Sequence, residues 1–154
     1  MIDFSRRALL AAILGFGTIA PRTTSLAADN TSAGEMRVAL CGYDPVAYFS
    51  LGQPEQGSAE FSAAFDDAVY WFANADHQAM FAAEPDRYAP QYGGHCAIGV
   101  SRGRVLEPDP EAWAIADGKL YVFHTKSGVP LFDQQTAAII EQATTNWPGL
   151  TPRR

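Results

Sequence analysis

Basic charge is scarce in this chain. Its 154 residues hold 11 Lys+Arg against 17 Asp+Glu, a formal charge of −6. No cationic surplus is left to displace counterions from a phosphate backbone, so nucleic acid is excluded as the main partner. Long apolar runs are missing too. The uncharged stretch Ala8 to Ala20 has 13 residues, where a membrane-spanning helix needs about 20. The sequence contains no Gly-rich phosphate loop, no G-x-S-x-G, no H-E-x-x-H and no C-x-x-C. The enzyme reading that survives is thiol-dependent: Cys96 as nucleophile with His95, His77 or His124 as base. An enzyme is the weakest of the three readings developed here.

What is present divides the chain in two. Ser5-Arg6-Arg7 leads into the uncharged run, and the small residues Ser25 and Ala27 follow with −3/−1 spacing. This pattern predicts a twin-arginine-like export signal over residues 1–27, cleaved after Ala27. Arg6, Arg7 and Arg22 against Asp3 give that segment a charge of +2, so the remainder carries −6 − 2 = −8. Residues 28–37 are small and polar and read as a disordered leader, 38–147 as a single domain and 148–154 as a tail. The expected location is periplasmic or secreted, with no membrane span after cleavage. In an oxidising compartment the chain's two cysteines can pair. A Cys41–Cys96 disulfide would close a loop of roughly 55 residues and contribute about 4 kcal/mol.

Within the domain, Phe61–Phe65 and Ala68–Ala73 flank Asp66-Asp67 as a hairpin. Asn74 is placed to cap a helix that buries Met80, Phe81 and Ala83 and stops before Pro85. Tyr88 to Gly94 reads as a loop with tight turns. Ala97–Val100 and Trp113–Ala116 read as short strands. Asp117-Gly118, between Ile115 and Leu120–Phe123, is a type I′ hairpin turn. Thr136–Asn146 reads as a closing helix. Strands and helices mix without a βαβ rhythm, which predicts an α+β fold of antiparallel hairpins packed with short helices. Most of the aromatic residues, among them Phe72, Phe81, Trp113, Tyr121 and Phe123, are expected in the core.

The chemistry-bearing side chains are Cys41, His77, His95, Cys96 and His124. Thiolate plus imidazole suits copper, zinc or iron. His95-Cys96 follows Gly93-Gly94, which lets the backbone bend between two donors. His77 lies on the first turn of a helix, and His124 lies where a strand ends. Glu107-Pro108-Asp109-Pro110-Glu111 reads as a stiff, solvated loop.

Gly42-Tyr43-Asp44-Pro45-Val46-Ala47-Tyr48-Phe49 resembles the YHS domain family. The likeness continues through Gly57–Phe61, Tyr70-Trp71-Phe72-Ala73, and Phe81 with Pro85 and Tyr88–Gly94. It extends to Cys96-Ala97, Asp109–Trp113 and Gly118–Tyr121, and it is strongest to exported single-domain members. The resemblance implies a small α+β module related to metal-binding modules of heavy-metal pumps, mercuric reductases and copper-handling proteins. The three cysteine positions of those modules fall here on Ala47, Ala73 and His77, of which only His77 can bind a metal. His95 stands where the exported subgroup commonly has Tyr. The expected function is binding of a transition metal ion, copper first and then zinc or iron, for sequestration or delivery to another periplasmic protein. With the Asp44–Val46 turn near the start of the helix that carries His77, Cys41, His77 and Cys96 would converge on the ion. The alternative is a non-metal interaction module stapled by Cys41–Cys96, with Tyr43, Tyr48, Tyr88 and Tyr92 exposed around a cleft.

Overall fold

The computed structural model describes residues 36–151. The predicted export signal, the leader up to residue 35 and the end of the tail lie outside them. The fold is α+β, as the mixed pattern predicts. Strand β1 (Arg37–Val38) pairs in parallel with β3 (Ala68–Phe72), and β2 (Ser58–Phe65) pairs antiparallel with β3, so the sheet order is β1-β3-β2. Strands β4 (Asp109–Ala116) and β5 (Lys119–Phe123) form a separate antiparallel hairpin. Both hairpins expected from the sequence are present. At the tip of the second, Asp117 and Gly118 take φ of 50° and 71°, the left-handed pair that a type I′ turn requires.

Helix α1 (Ala47–Ser50) follows a 3-10 turn over Ala39–Gly42, and α2 (Ala75–Ala83) is capped by Asn74 as expected. The Asn74 side chain accepts the His77 backbone N–H at 2.9 Å. Of the apolar face predicted for α2, only Phe81 is buried, while Met80 is exposed. Phe81 meets Phe65, Tyr70 and Phe72 at ring distances of 5.0 to 5.9 Å, so one large side chain anchors the helix to the sheet.

Several expectations are corrected. Pro85 does end α2, but it also opens α3 (Pro85–Tyr88), because a proline at the first helical position gives up an N–H that would have no partner there. Gln91–Gly94 is a 3-10 turn with Tyr92 in left-handed geometry. Ala97–Val100 is not a strand but most of α4 (Ala97–Ser101). A short apolar run has no decisive period. Here Cys96 caps the segment, its sulfur accepting the Gly99 N–H at 3.3 Å. The closing helix α5 (Gly128–Leu150) is longer than 136–146 at both ends. Its backbone departs from helical geometry at Gln135, next to the predicted start at Thr136, and it continues past Pro148 into the supposed tail. Asp109–Glu111 belongs to β4, so the Pro-rich acidic segment is not merely a solvated loop.

One buried cluster packs α4 and α5 on the β4–β5 hairpin through Tyr121, Phe123, Phe132 and Ile139. A second covers the three-stranded sheet with α2 and α3. Leu40, Tyr48, Leu120 and Val122 form a third, with Trp113 packed against Tyr48 at 5.2 Å.

Candidate functional site

Asp44 is wholly buried, the one polar or charged side chain in the core among the described residues. A carboxylate removed from water must find donors, and three reach it. Oδ1 accepts the Val46 N–H at 2.8 Å, which sets the turn into α1. Oδ2 accepts the Ala73 N–H at 2.9 Å, where the chain leaves β3. Oδ2 also accepts from His77 Nδ1 at 2.6 Å. One side chain therefore ties together the entry to α1, the exit of β3 and the first turn of α2.

This contact fixes the tautomer of a neutral His77 ring. A carboxylate oxygen can only accept, so Nδ1 carries a proton, and in the neutral ring Nε2 keeps its lone pair. Ser50 Oγ lies 3.4 Å from Nε2, but its own proton goes to the Val46 carbonyl at 3.1 Å. Nε2 is therefore not committed to a donor. The Asp44 N–H donates to the Glu55 carbonyl at 2.9 Å, which holds Glu55 beside the pair. Asp44, Glu55 and His77 each contribute a ligand-type atom within 4.8 Å of the others, the group of metal-capable side chains found among the described residues.

The other expected ligands do not join it. Cys96 is buried, its sulfur is occupied by the Gly99 N–H, and its own N–H donates to the Leu106 carbonyl at 3.0 Å. Cys41 is exposed, with left-handed φ of 52°, and its thiol donates to the Pro108 carbonyl at 3.7 Å. Burial and then the Glu107 carboxylate push that thiol above its ordinary pKa, with Arg37 opposing them. His95 Nδ1 stands 3.6 Å from Glu107 Oε1, and its ring lies 5.9 Å from that of Trp147. Burial, reinforced by Arg37, holds the His95 imidazole below the usual histidine range. His124 is exposed and donates from Nδ1 to the Glu107 carbonyl at 2.7 Å. All four are strung along Leu106–Pro108, so that segment organises them without gathering them.

Both cysteines are free thiols with separate partners, so the expected disulfide staple is not formed. Nor do Cys41, His77 and Cys96 converge on one ion. The cleft of exposed tyrosines also fails. Tyr48, Tyr88 and Tyr92 are buried, and the Tyr48 hydroxyl donates to the Pro110 carbonyl at 2.9 Å. Cys96, the expected nucleophile of a thiol-dependent enzyme, is buried, and its sulfur accepts the Gly99 N–H.

Sequence reasoning singled out His77 but missed Asp44 and Glu55 as its neighbours. Asp44 lies in the Gly-Tyr-Asp-Pro stretch, yet nothing local marks an aspartate as buried. Glu55 sits in a polar run with no signal at all. No family model, curated protein or solved structure matches the chain.

Proposed function

We propose that the chain is an exported, YHS-type module that binds a divalent transition metal through His77 Nε2 and the Glu55 carboxylate. The observation that carries this reading is the 2.6 Å contact between Asp44 and His77. Metal-ligating histidines characteristically give their other ring N–H to a carboxylate, which fixes the tautomer and raises the basicity of the ligating nitrogen. Asp44 is thus the positioning residue, and His77 and Glu55 are the donors. An imidazole and a carboxylate suit Cu(II) first and then zinc or iron(II), following the general affinity order of divalent ions. With no thiolate in reach, Cu(I) is disfavoured. Two protein donors leave coordination positions to water or to a partner's ligand, which favours delivery to another periplasmic protein over permanent storage.

Titration of the metal-free chain with Cu(II) and Zn(II) by calorimetry tests this. One ion per chain is expected, with binding lost in His77→Ala, weakened about 10- to 100-fold in Asp44→Asn and unchanged in Cys96→Ala and Cys41→Ser. Binding that survives His77→Ala but disappears with a cysteine would overturn the reading.

Ser50, His77 and Asp44 also stand in the order of an acid–base relay. The Ser50 proton is directed at the Val46 carbonyl and not at His77, so the arrangement favours a ligand on Nε2 over a nucleophile beside it.

A further inference from the structure

A pocket of about 200 Å³, with Cys96 in its lining, lies between α4, the end of β5 and the start of α5. Its lining includes Arg102 and Arg104 and contains no Asp or Glu, in a chain where acids outnumber bases 17 to 11. Arg37, Arg87 and Lys126 are each paired with a glutamate, whereas Arg102 and Arg104 make no side-chain hydrogen bond or ion pair among the described residues. Both project from one short turn, held by the Arg102 and Arg104 N–H groups donating to the Gly99 carbonyl at 3.0 and 2.9 Å.

Thr125 and Ser127 also line the pocket, and their hydroxyls bond to each other at 2.9 Å. Two hydroxyls joined by one bond use one proton and leave the other for an acceptor. Ser127 caps no N–H of α5 with its side chain. The rest of the lining is His124, whose Nδ1 is taken by the Glu107 carbonyl, and a mostly apolar wall that includes Ile98, Leu106, Phe123 and Leu131.

We infer that this pocket binds a small carboxylate with a short apolar body. The carboxylate accepts from Arg102, Arg104 and the spare hydroxyl proton, and the alkyl part rests on Ile98, Leu106 and Leu131. Arginine suits a planar carboxylate because its N–H groups form a matching fork. A bare inorganic oxyanion would leave the apolar wall unused. The site is separate from His77 and does not depend on a metal there.

Titration of the isotope-labelled chain by NMR tests the inference, with butanoate, inorganic phosphate and 1-butanol as probes. Butanoate is expected to shift the Gly99, Leu106 and Gly128 amides saturably with a Kd of about 1 mM. Phosphate and butanol should bind about tenfold more weakly or not at all. Arg102→Gln/Arg104→Gln should weaken butanoate binding about tenfold or more, while His77→Ala leaves it unchanged. Both arginines are exposed and unbonded, so the dispersed spectrum should survive the double change, and the single Arg102→Gln gives the same direction if it does not. Absence of saturable shifts, an unaltered affinity in the arginine variants, or phosphate binding as tightly as butanoate would each overturn the inference.

Discussion

His77 Nδ1 donates to Asp44 Oδ2 across 2.6 Å, joining residues 33 positions apart in the chain. Each end of the bond is held independently. The Asn74 cap fixes where His77 begins its turn, and two backbone N–H groups fix the Asp44 carboxylate. Stability and ligand geometry are consequently coupled at Asp44 and separable at His77.

Removing the two partners should therefore have unequal effects. Asp44→Ala removes the acceptor of the Val46 and Ala73 N–H groups and of His77 Nδ1 at a largely buried site. It should cost about 3–5 kcal/mol, lowering Tm by roughly 15 °C or more. His77→Gln removes one contact at the rim of the same site and should cost about 1 kcal/mol. Thermal unfolding of both variants measures the ordering, and equal losses would mean that the carboxylate is not the hub.

The two cysteines should behave as unlike free thiols. Cys41 is exposed and Cys96 buried, so a thiol reagent should titrate one group in the folded chain and two after denaturation. Cys41→Ser should abolish the fast phase. Because burial and Glu107 raise the Cys41 thiol above its ordinary value, that phase should be slower at pH 8 than for a free cysteine and accelerate above pH 9. A denatured, unreduced sample with no reactive thiol would show a disulfide instead.

The parts of the fold that the sequence made legible are those fixed by local chemistry. Asp117-Gly118 and Asn74 announce a turn and a cap wherever they occur, and the β4–β5 hairpin and α2 follow from them. Ala97–Val100 misled because a four-residue apolar run fits a buried strand or a buried helix equally, and a cysteine is an uncommon cap. The candidate site was half legible for a related reason. An imidazole on a capped first turn can be seen in the sequence, whereas the burial of Asp44 arises only when α1, β3 and α2 meet. The cysteines drew attention as soft ligands, but their positions along Leu106–Pro108 are set by long-range packing that no spacing encodes.

His95 makes stability depend on pH in a defined direction. Burial and Arg37 hold its folded pKa below 6.5, so on acidification the unfolded chain takes up the proton first. Where the unfolded state binds more protons, stability falls as pH falls. The unmodified chain should thus lose Tm more steeply between pH 6.5 and 5 than His95→Phe, which has no proton to take up. Glu107→Gln should steepen the loss, since that carboxylate partly offsets the other two effects. Parallel Tm profiles for the unmodified chain and His95→Phe would remove His95 from the pH response.

Gly57 and Gly118 offer a paired test of how the site is supported. A Cβ on Gly118 meets nothing within 4 Å, so Gly118→Ala should cost only the left-handed strain of its 71° φ, about 1 kcal/mol. A Cβ on Gly57 would lie 2.6 Å from the Trp71 carbonyl carbon and 2.7 Å from its oxygen. Backbone cannot rotate aside as a side-chain tip can, so β2 and β3 must separate there, at about 1–3 kcal/mol. The displaced strand carries the Ala73 N–H that Asp44 accepts, two residues beyond Trp71. Gly57→Ala should therefore lower Tm more than Gly118→Ala and also shift the His77 ring signals, which Gly118→Ala should leave in place. A Gly57→Ala chain with unmoved His77 resonances would show that the Asp44 hub is insulated from the strand that feeds it.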